Sequence, residues 1–209
     1  MGKASILYRN PYLYLLGLKL LHRENFHKRY KYMASFSKRG NSVLEPACGP
    51  GALASYLSKG VRYSGFDMNN HFINHALKKN LNVKIGNVLD INSYIRSDHI
   101  ITCDILHHLN PTDRKKFIKN CYVSTKKTFI VCEPIIDHKN KKNKIITYLG
   151  KQFTEWIERD GTNNVKLEYF FNHKELSDLI DDGFGIIPSS VKRVKKRFGE
   201  DMVVVFFKN

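Results

Sequence analysis

The apolar positions along the chain change rhythm twice. Over residues 11–38 they recur at helical spacing. Pro11 opens an apolar run to Leu21, and Phe26, Tyr30, Met33 and Ser37 mark one face of a second segment that Gly40 stops. From residue 42 onward, short apolar runs alternate with longer mixed segments. Residues 42–45, 61–66, 83–85, 99–102 and 128–132 have the length and apolarity of strands, and 52–59, 70–79 and 111–121 have helical spacing, with a weaker turn over 91–95. This alternation predicts parallel β-α-β units and a sheet covered on both faces. After Pro134 the rhythm changes again. A basic stretch to Lys144 precedes a helix over 145–158 that carries Trp156, a loop over 160–164, and a helix over 174–182 capped by Asn172 and stopped by Gly183. Two last strands are expected at 186–187 and 202–207.

Composition narrows this picture. The 209 residues sit in the range of one domain, and 42% hydrophobic with 12% aromatic content supports a packed core. Lys and Arg number 35 against 19 Asp and Glu, a net charge of +16. Such a balance suits an anionic partner (nucleic acid, an acidic small molecule or a lipid surface), or a lysine-rich solvated surface. The densest basic runs, residues 139–144 and 192–197, lack the interleaved aromatics of a single-strand stacking platform. Cys48, Cys103, Cys121 and Cys132 form no C-x-x-C pair, which argues against a zinc site or a disulfide framework and for a reducing, cytoplasmic setting. The apolar run 11–21 is shorter than the ~20 residues of a membrane span, contains Lys19, and is followed by no small-residue cleavage site. Met1-Gly2 invites N-myristoylation, but Ile6 stands where Ser or Thr is required.

The sharpest chemical feature is Val43-Leu44-Glu45-Pro46-Ala47-Cys48-Gly49-Pro50-Gly51-Ala52-Leu53, a strand running through a small-residue loop into a helix. Gly49 and Gly51 let a ligand approach the backbone, and a helix N-terminus behind them would offer unpaired N–H groups. The Gly-Lys-Ser/Thr ending of a P-loop is absent, and the spacing Ala47-x-Gly49-x-Gly51 is not that of a dinucleotide fingerprint. The order of acid, small residue and paired glycines resembles motif I of the class I S-adenosylmethionine-dependent methyltransferases. The resemblance extends over about residues 41–207. It implies that Glu45, Ala47, Cys48, Gly49 and Gly51 border the cofactor. It also implies that Asp67, closing the second strand, accepts hydrogen bonds from the ribose diol and that Met68 packs on the adenine. In Ile85-Gly86-Asn87-Val88-Leu89-Asp90, Asn87 replaces the usual Asp that binds the adenine amino group, and Val88 and Cys103 complete the implied cofactor set.

Cys103-Asp104-Ile105-Leu106-His107-His108-Leu109 resembles the family's fourth-strand segment, between the methionine end of the cofactor and the acceptor. The Asn/Asp-Pro-Pro-Tyr/Phe of adenine-N6 enzymes and the Pro-Cys of base-C5 enzymes are both missing here. The Pro-Gly-Gly turn that usually precedes the fifth strand is replaced by Thr125-Lys126-Lys127. Asp104 and His108 match in type two positions of a metal-binding pattern in the ubiquinone-type O-methyltransferases, but His107 replaces a carboxylate, and no metal is expected. His107 or His108 is the expected general base, with Asp104 and Glu133 as further catalytic candidates. Glu133 alternatively caps a helix or forms a salt bridge. His22, His27, His71, His75, His99, His138 and His173 have no motif context.

The expected architecture is therefore α/β, a Rossmann-like, mostly parallel seven-stranded sheet in a single domain over 1–209. Residues 1–40 form a helical cap, 41–134 the cofactor-binding half, and 135–209 a substrate-side insertion and the C-terminal strands. The cap and the 135–170 segment would roof the acceptor pocket. Tyr8, Tyr12, Tyr14, Tyr148, Phe153, Trp156, Tyr169 and Phe170 would line it, unless they simply pack the core. The expected reaction is methyl transfer from S-adenosylmethionine to an oxygen or nitrogen of a small-molecule acceptor, lipid-like or quinone-like. RNA methylation, on the strength of the charge, and a non-catalytic cofactor-binding subunit are the alternatives. A peripheral contact of the apolar N-terminal helix with anionic lipid also fits the charge pattern.

Overall fold

A computed structural model describes residues 5–135 and 170–208. Three helices come first: α1 (Ile6–Arg9), α2 (Pro11–His22) and α3 (Glu24–Ala34). The alternating part follows as β1 (Ser42–Pro46), β2 (Arg62–Asp67), α4 (Asn70–Lys78), β3 (Val83–Ile85), β4 (Ser97–Cys103), α5 (Pro111–Ser124) and β5 (Thr125–Pro134). After the undescribed stretch come α6 (His173–Asp181), β6 (Arg193–Phe198) and β7 (Asp201–Phe207). The strands form one seven-stranded sheet in the order β3-β2-β1-β4-β5-β7-β6. β1 to β5 run parallel, and β7 lies antiparallel between β5 and β6. The expected Rossmann-like sheet is the one observed.

The central strands bury both faces, which is why their sequences are continuous apolar runs rather than alternations. On one face Leu44, Phe66, Ile100, Phe129, Val131, Val204 and Phe206 pack against Phe117 and Ile118 of α5 and Leu176 and Ile180 of α6. On the other, Val43, Ile101, Ile130, Cys132, Val203 and Val205 pack against Phe26, Tyr30 and Met33 of α3. The cap is therefore one of the two layers that cover the sheet. Local rules place the helix ends: Asn10, Asn69 and Asn110 accept backbone N–H groups at the starts of α2, α4 and α5. Asn172 and Glu175 form a reciprocal capping box on α6.

Two expected elements differ. The helix expected over 52–59 is a single 3-10 turn, Leu53–Tyr56. Leu53 is buried under α3, the Tyr56 ring stacks on Tyr30 at 5.3 Å, and the Tyr56 hydroxyl lies 2.6 Å from Nδ1 of His27, so the turn is captured by α3 before it can propagate. The helix N-terminus expected behind the glycine loop is correspondingly absent. The strand expected at 186–187 does not form. The chain instead makes a 3-10 turn over Gly183–Gly185, with Phe184 at φ 58°, and Ile187 is buried in the core. The sixth strand is the basic run at Arg193–Phe198, an edge strand whose charged residues face solvent and block further pairing. The helix expected over 145–158 lies outside the described residues.

One polar cluster ties the cap to the sheet. The fully buried Arg29 of α3 donates Nη2 to Oδ2 of Asp104 at 2.7 Å and Nη1 to Oδ1 of Asp104 at 3.0 Å and of Asp201 at 3.2 Å. Nδ1 of His22 lies 3.0 Å from the second Asp201 oxygen. Asp104 follows β4 and Asp201 begins β7, so one guanidinium joins three distant segments. Arg29→Met would strand two carboxylates at low dielectric. It should lower the unfolding free energy by about 3–5 kcal/mol in urea titrations, whereas Lys28→Met, next along and exposed, should cost almost nothing.

Candidate active site

The strand order reverses direction between β1 and β4: β2 and β3 lie on one side of β1, and β4 and β5 on the other. A crevice opens at the carboxyl ends of the strands at such a point. Here it is flanked by two non-glycine residues in the left-handed region, Ala47 (φ 55°) after β1 and Asp104 (φ 57°) after β4. Such conformations cost of order 1–3 kcal/mol each and persist only where their surroundings hold them. Asp104 is held by Arg29. Ala47 is held by the turn that follows, in which Gly49 (φ 52°) and Gly51 (φ 76°) also take positive φ. A side chain at Gly51 would collide with Leu81 besides being strained, so Gly51 shapes the loop from behind rather than facing the crevice.

Between this loop and the cap lies a small, partly open cleft. Glu45, Ala47, Cys48 and Gly49 form one wall, Cys103 and Asp104 a second, and Tyr14, Leu15 and Leu18 of α2 with Tyr30 of α3 the roof. Asp67, at the end of β2, lies at the side of the loop. Its Oδ2 accepts the N–H of Gly49 at 2.8 Å and its Oδ1 that of Asn69 at 2.8 Å, so one carboxylate fixes the glycine loop and the start of α4. Met68 is exposed. Asn87 is exposed too, with its side-chain oxygen accepting the Leu89 N–H at 2.9 Å in a local turn. Val88 is buried. The implied cofactor residues thus fall in two groups, one lining the cavity and one along the β2–β3 side.

Four neighbouring strands, β2, β1, β4 and β5, end at this edge in the carboxylates of Asp67, Glu45, Asp104 and Glu133. Each is accommodated differently. Burial pushes the Glu45 carboxyl up to about 8, against the lowering effect of the Tyr63 hydroxyl, which donates at 2.6 Å, while nearby Asp67 raises it further. Asp104 suffers the same burial, yet Arg29, His22 and the guanidinium hydrogen bonds outweigh it and hold the group below the usual carboxylate range. Glu133 is fully buried. Its Oε1 accepts the N–H groups of Ile105 at 2.8 Å and Leu106 at 2.7 Å, and its Oε2 lies 2.8 Å from Nδ1 of His107. Glu133 therefore folds the 104–109 loop and orients His107. His107 stacks on Phe170 at 4.4 Å and packs against His108 at 4.4 Å with the rings tilted by 41°, and Nε2 of His108 is 3.5 Å from the Tyr8 hydroxyl. Burial pushes the Cys48 and Cys103 thiols up, which keeps them neutral and poorly nucleophilic.

Among the described residues, two sets of side chains stand close enough to share a metal ion, Cys103–Asp104–Cys132 and His22–Asp104–Asp201. Both include Asp104, whose two oxygens already meet Arg29, so the guanidinium supplies the positive charge there.

This frame agrees with comparison to known proteins. A family model described as a methyltransferase domain matches residues 43–128, the span from β1 into β5. An uncharacterized methyltransferase of Staphylococcus carnosus is 27% identical over 144 residues, 67% of this chain and 68% of that protein. The chain has the fold of the class I S-adenosylmethionine-dependent methyltransferases, and its residues 43–128 match a methyltransferase domain. Among solved structures, human N-acetylserotonin methyltransferase in complex with S-adenosylmethionine superposes with a TM-score of 0.62 at 13% identity, over 97% of this chain and 58% of that one. The chain thus spans less than three fifths of that protein. A possible histamine N-methyltransferase of Thermotoga maritima gives 0.64 at 14%, over 97% of this chain and 99% of that one. At these identities the superpositions show a common fold.

Arg29, Tyr30 and Asp201 carry no motif and were missing from the sequence-based site. A sign of Arg29 was present: it falls three residues after Phe26 and four before Met33, on the buried stripe of α3, where an arginine requires carboxylates. Tyr148, Phe153, Trp156 and Tyr169 lie outside the described residues. Among the described aromatics, Tyr14 lines the cavity, Tyr12 is exposed, and Tyr8 and Phe170 pack on the histidine pair.

Glu45 gives the domain a pH signature. Its folded pKa of about 8 exceeds the ordinary carboxylate value, so the folded state binds its proton more tightly than the unfolded chain. The stabilisation is complete at low pH and is lost as pH rises through about 8. Urea unfolding of wild type and Glu45→Gln at pH 5 and pH 9 should show the variant gaining relative stability at the higher pH.

Proposed function

We propose that this domain transfers a methyl group from S-adenosylmethionine to an oxygen or nitrogen of a small-molecule acceptor, with His107 as general base. The observation that carries this reading is the cleft at the β1/β4 reversal, walled by Glu45, Ala47, Cys48 and Gly49 on one side and by Cys103 and Asp104 on the other, with the His107–Glu133 pair in the loop that follows Asp104. The donor set suits the cofactor. Asp67 places a carboxylate, the acceptor type that suits a diol, at the end of β2, and Ala47 and Gly49 expose backbone to close approach. Met68, Asn87 and Val88 border the region where the adenine would lie, and Cys48 and Cys103 contribute neutral, compact walls.

When bound, the cofactor supplies an electrophilic methyl on sulfur. The chain's own residues position the acceptor, exclude water and move one proton. Glu133 accepts from Nδ1–H of His107, which leaves Nε2 as the basic nitrogen of the ring and stabilises the imidazolium once Nε2 has taken the acceptor's proton. Glu133 is thus a positioning residue for both the loop and the base. Asp104, paired with Arg29, shapes the crevice wall and holds its charge beside it. The apolar roof of Leu15 and Leu18 favours an acceptor with a hydrophobic part, lipid-like or quinone-like.

Two measurements test this. S-adenosylhomocysteine at a hundred times its Kd adds about 2.7 kcal/mol, so it should raise Tm by roughly 5–11 °C where NAD does not, and Asp67→Ala should erase the shift. In a methyl-transfer assay over hydroxyl- and amine-bearing amphiphiles, His107→Gln should lower kcat by about 10²–10⁴ while keeping the S-adenosylhomocysteine shift. Full activity of His107→Gln removes the base assignment, and no thermal shift in wild type removes the reading of the cavity.

A further inference from the structure

Helix α2 is apolar on two sides. Its inner side supplies Tyr14, Leu15 and Leu18 to the cavity roof and places His22 on Asp201. Its outer side carries Leu13 (40% exposed), Leu16 (52%) and Leu20 (68%), at the i, i+3, i+7 spacing of a single stripe. Tyr12 and Leu21 are exposed beside it, and Ile6 is exposed on α1. A soluble helix normally turns such a stripe inward, and a cluster of large exposed apolar side chains on one short helix marks an interaction surface. Charge tells which kind. Residues 5–23 contain no Asp or Glu, while Arg9, Lys19 and Arg23 are all exposed, and the first acid, Glu24, is paired with Lys28 at 2.8 Å. Lys19 and Arg23, one turn apart, flank the stripe.

We propose that the outer face of α2 lies on an anionic lipid surface, with Leu13, Leu16 and Leu20 entering the headgroup–acyl boundary and Arg9, Lys19 and Arg23 meeting the lipid phosphates. An apolar stripe bordered by snorkelling cations is the geometry of an interfacial helix. A net charge of +16 brings the chain toward a negative surface before the leucines engage. A second copy of the chain fits less well. A two-fold contact would set Lys19 and Arg23 near their own copies, and a 12-residue helix offers a footprint of roughly 200 Å², against ~800 Å² per partner in a standard interface. Nucleic acid would use the cations and leave the leucines in water. Because the inner face of the same helix roofs the cavity, the proposed orientation sets the cavity roof next to the bilayer. The lipid contact itself does not depend on which acceptor is methylated.

Flotation with vesicles tests the surface directly. At low salt, wild type should float with vesicles of equal parts phosphatidylglycerol and phosphatidylcholine and remain unbound with phosphatidylcholine alone. Leu16→Glu/Leu20→Glu should bind the anionic vesicles at least ~10-fold more weakly while retaining its thermal shift with S-adenosylhomocysteine, which certifies the fold. Three outcomes overturn the proposal. One is no flotation of wild type; another is equal flotation of the variant, which would make the contact charge alone. The third is a wild-type dimer that the double variant dissolves without any vesicle binding, which would make the occupant a second copy. Loss of vesicle binding with the thermal shift intact separates this surface from the cofactor reading.

Discussion

The guanidinium of Arg29 is the constraint on which the rest of the structure depends. An arginine with no exposed surface is tolerable only where carboxylates meet it, and Asp104 and Asp201 do so from the middle of the chain and from its last strand. Neither aspartate is near Arg29 in sequence, so the pairing exists only once α3, the end of β4 and the start of β7 are assembled together. The same pairing holds Asp104 in the left-handed conformation that turns the chain out of β4 into the histidine loop. A cap that might have been an appendage is thereby made part of the crevice, because its docking and the shape of the site share one ion cluster.

The site follows from how the sheet edge handles its acids. Four adjacent strands end in carboxylates, and no two are stabilised alike: Asp67 by backbone N–H groups of the glycine loop and Asn69, Glu45 by a tyrosine hydroxyl and a raised pKa, Asp104 by a guanidinium, Glu133 by two backbone N–H groups and an imidazole. Each arrangement also does local work, closing a loop or orienting a ring. The Asp104 charge is met by Arg29, and Glu45 holds its proton up to about pH 8. The outer face of the same cap carries cations around leucines.

Much of this was legible in the chain. The strand–loop–helix alternation required a parallel sheet, since parallel strands need crossovers and bury both faces. The acid-small-glycine order marked the loop, because glycine takes the positive φ at Gly49 and Gly51 at little cost. Elements went astray where tertiary contact overrode local preference. Leu53 and Tyr56 were captured by α3 and stopped a helix, and the basic run 193–198 became a strand because an edge position has no need of apolar residues.

The sequence by itself determined the fold class, the glycine loop and the row of acids at the strand ends, because periodicity, backbone freedom and charge are properties of neighbours along the chain. The tertiary structure decided which acid meets which cation. It gave Asp104 to Arg29 and Glu133 to His107, sent one side of α2 to the cavity and left the other to solvent. Those partners lie 75 and 26 residues apart, and pairing across such distances is fixed only by the packing that closes the loops between them.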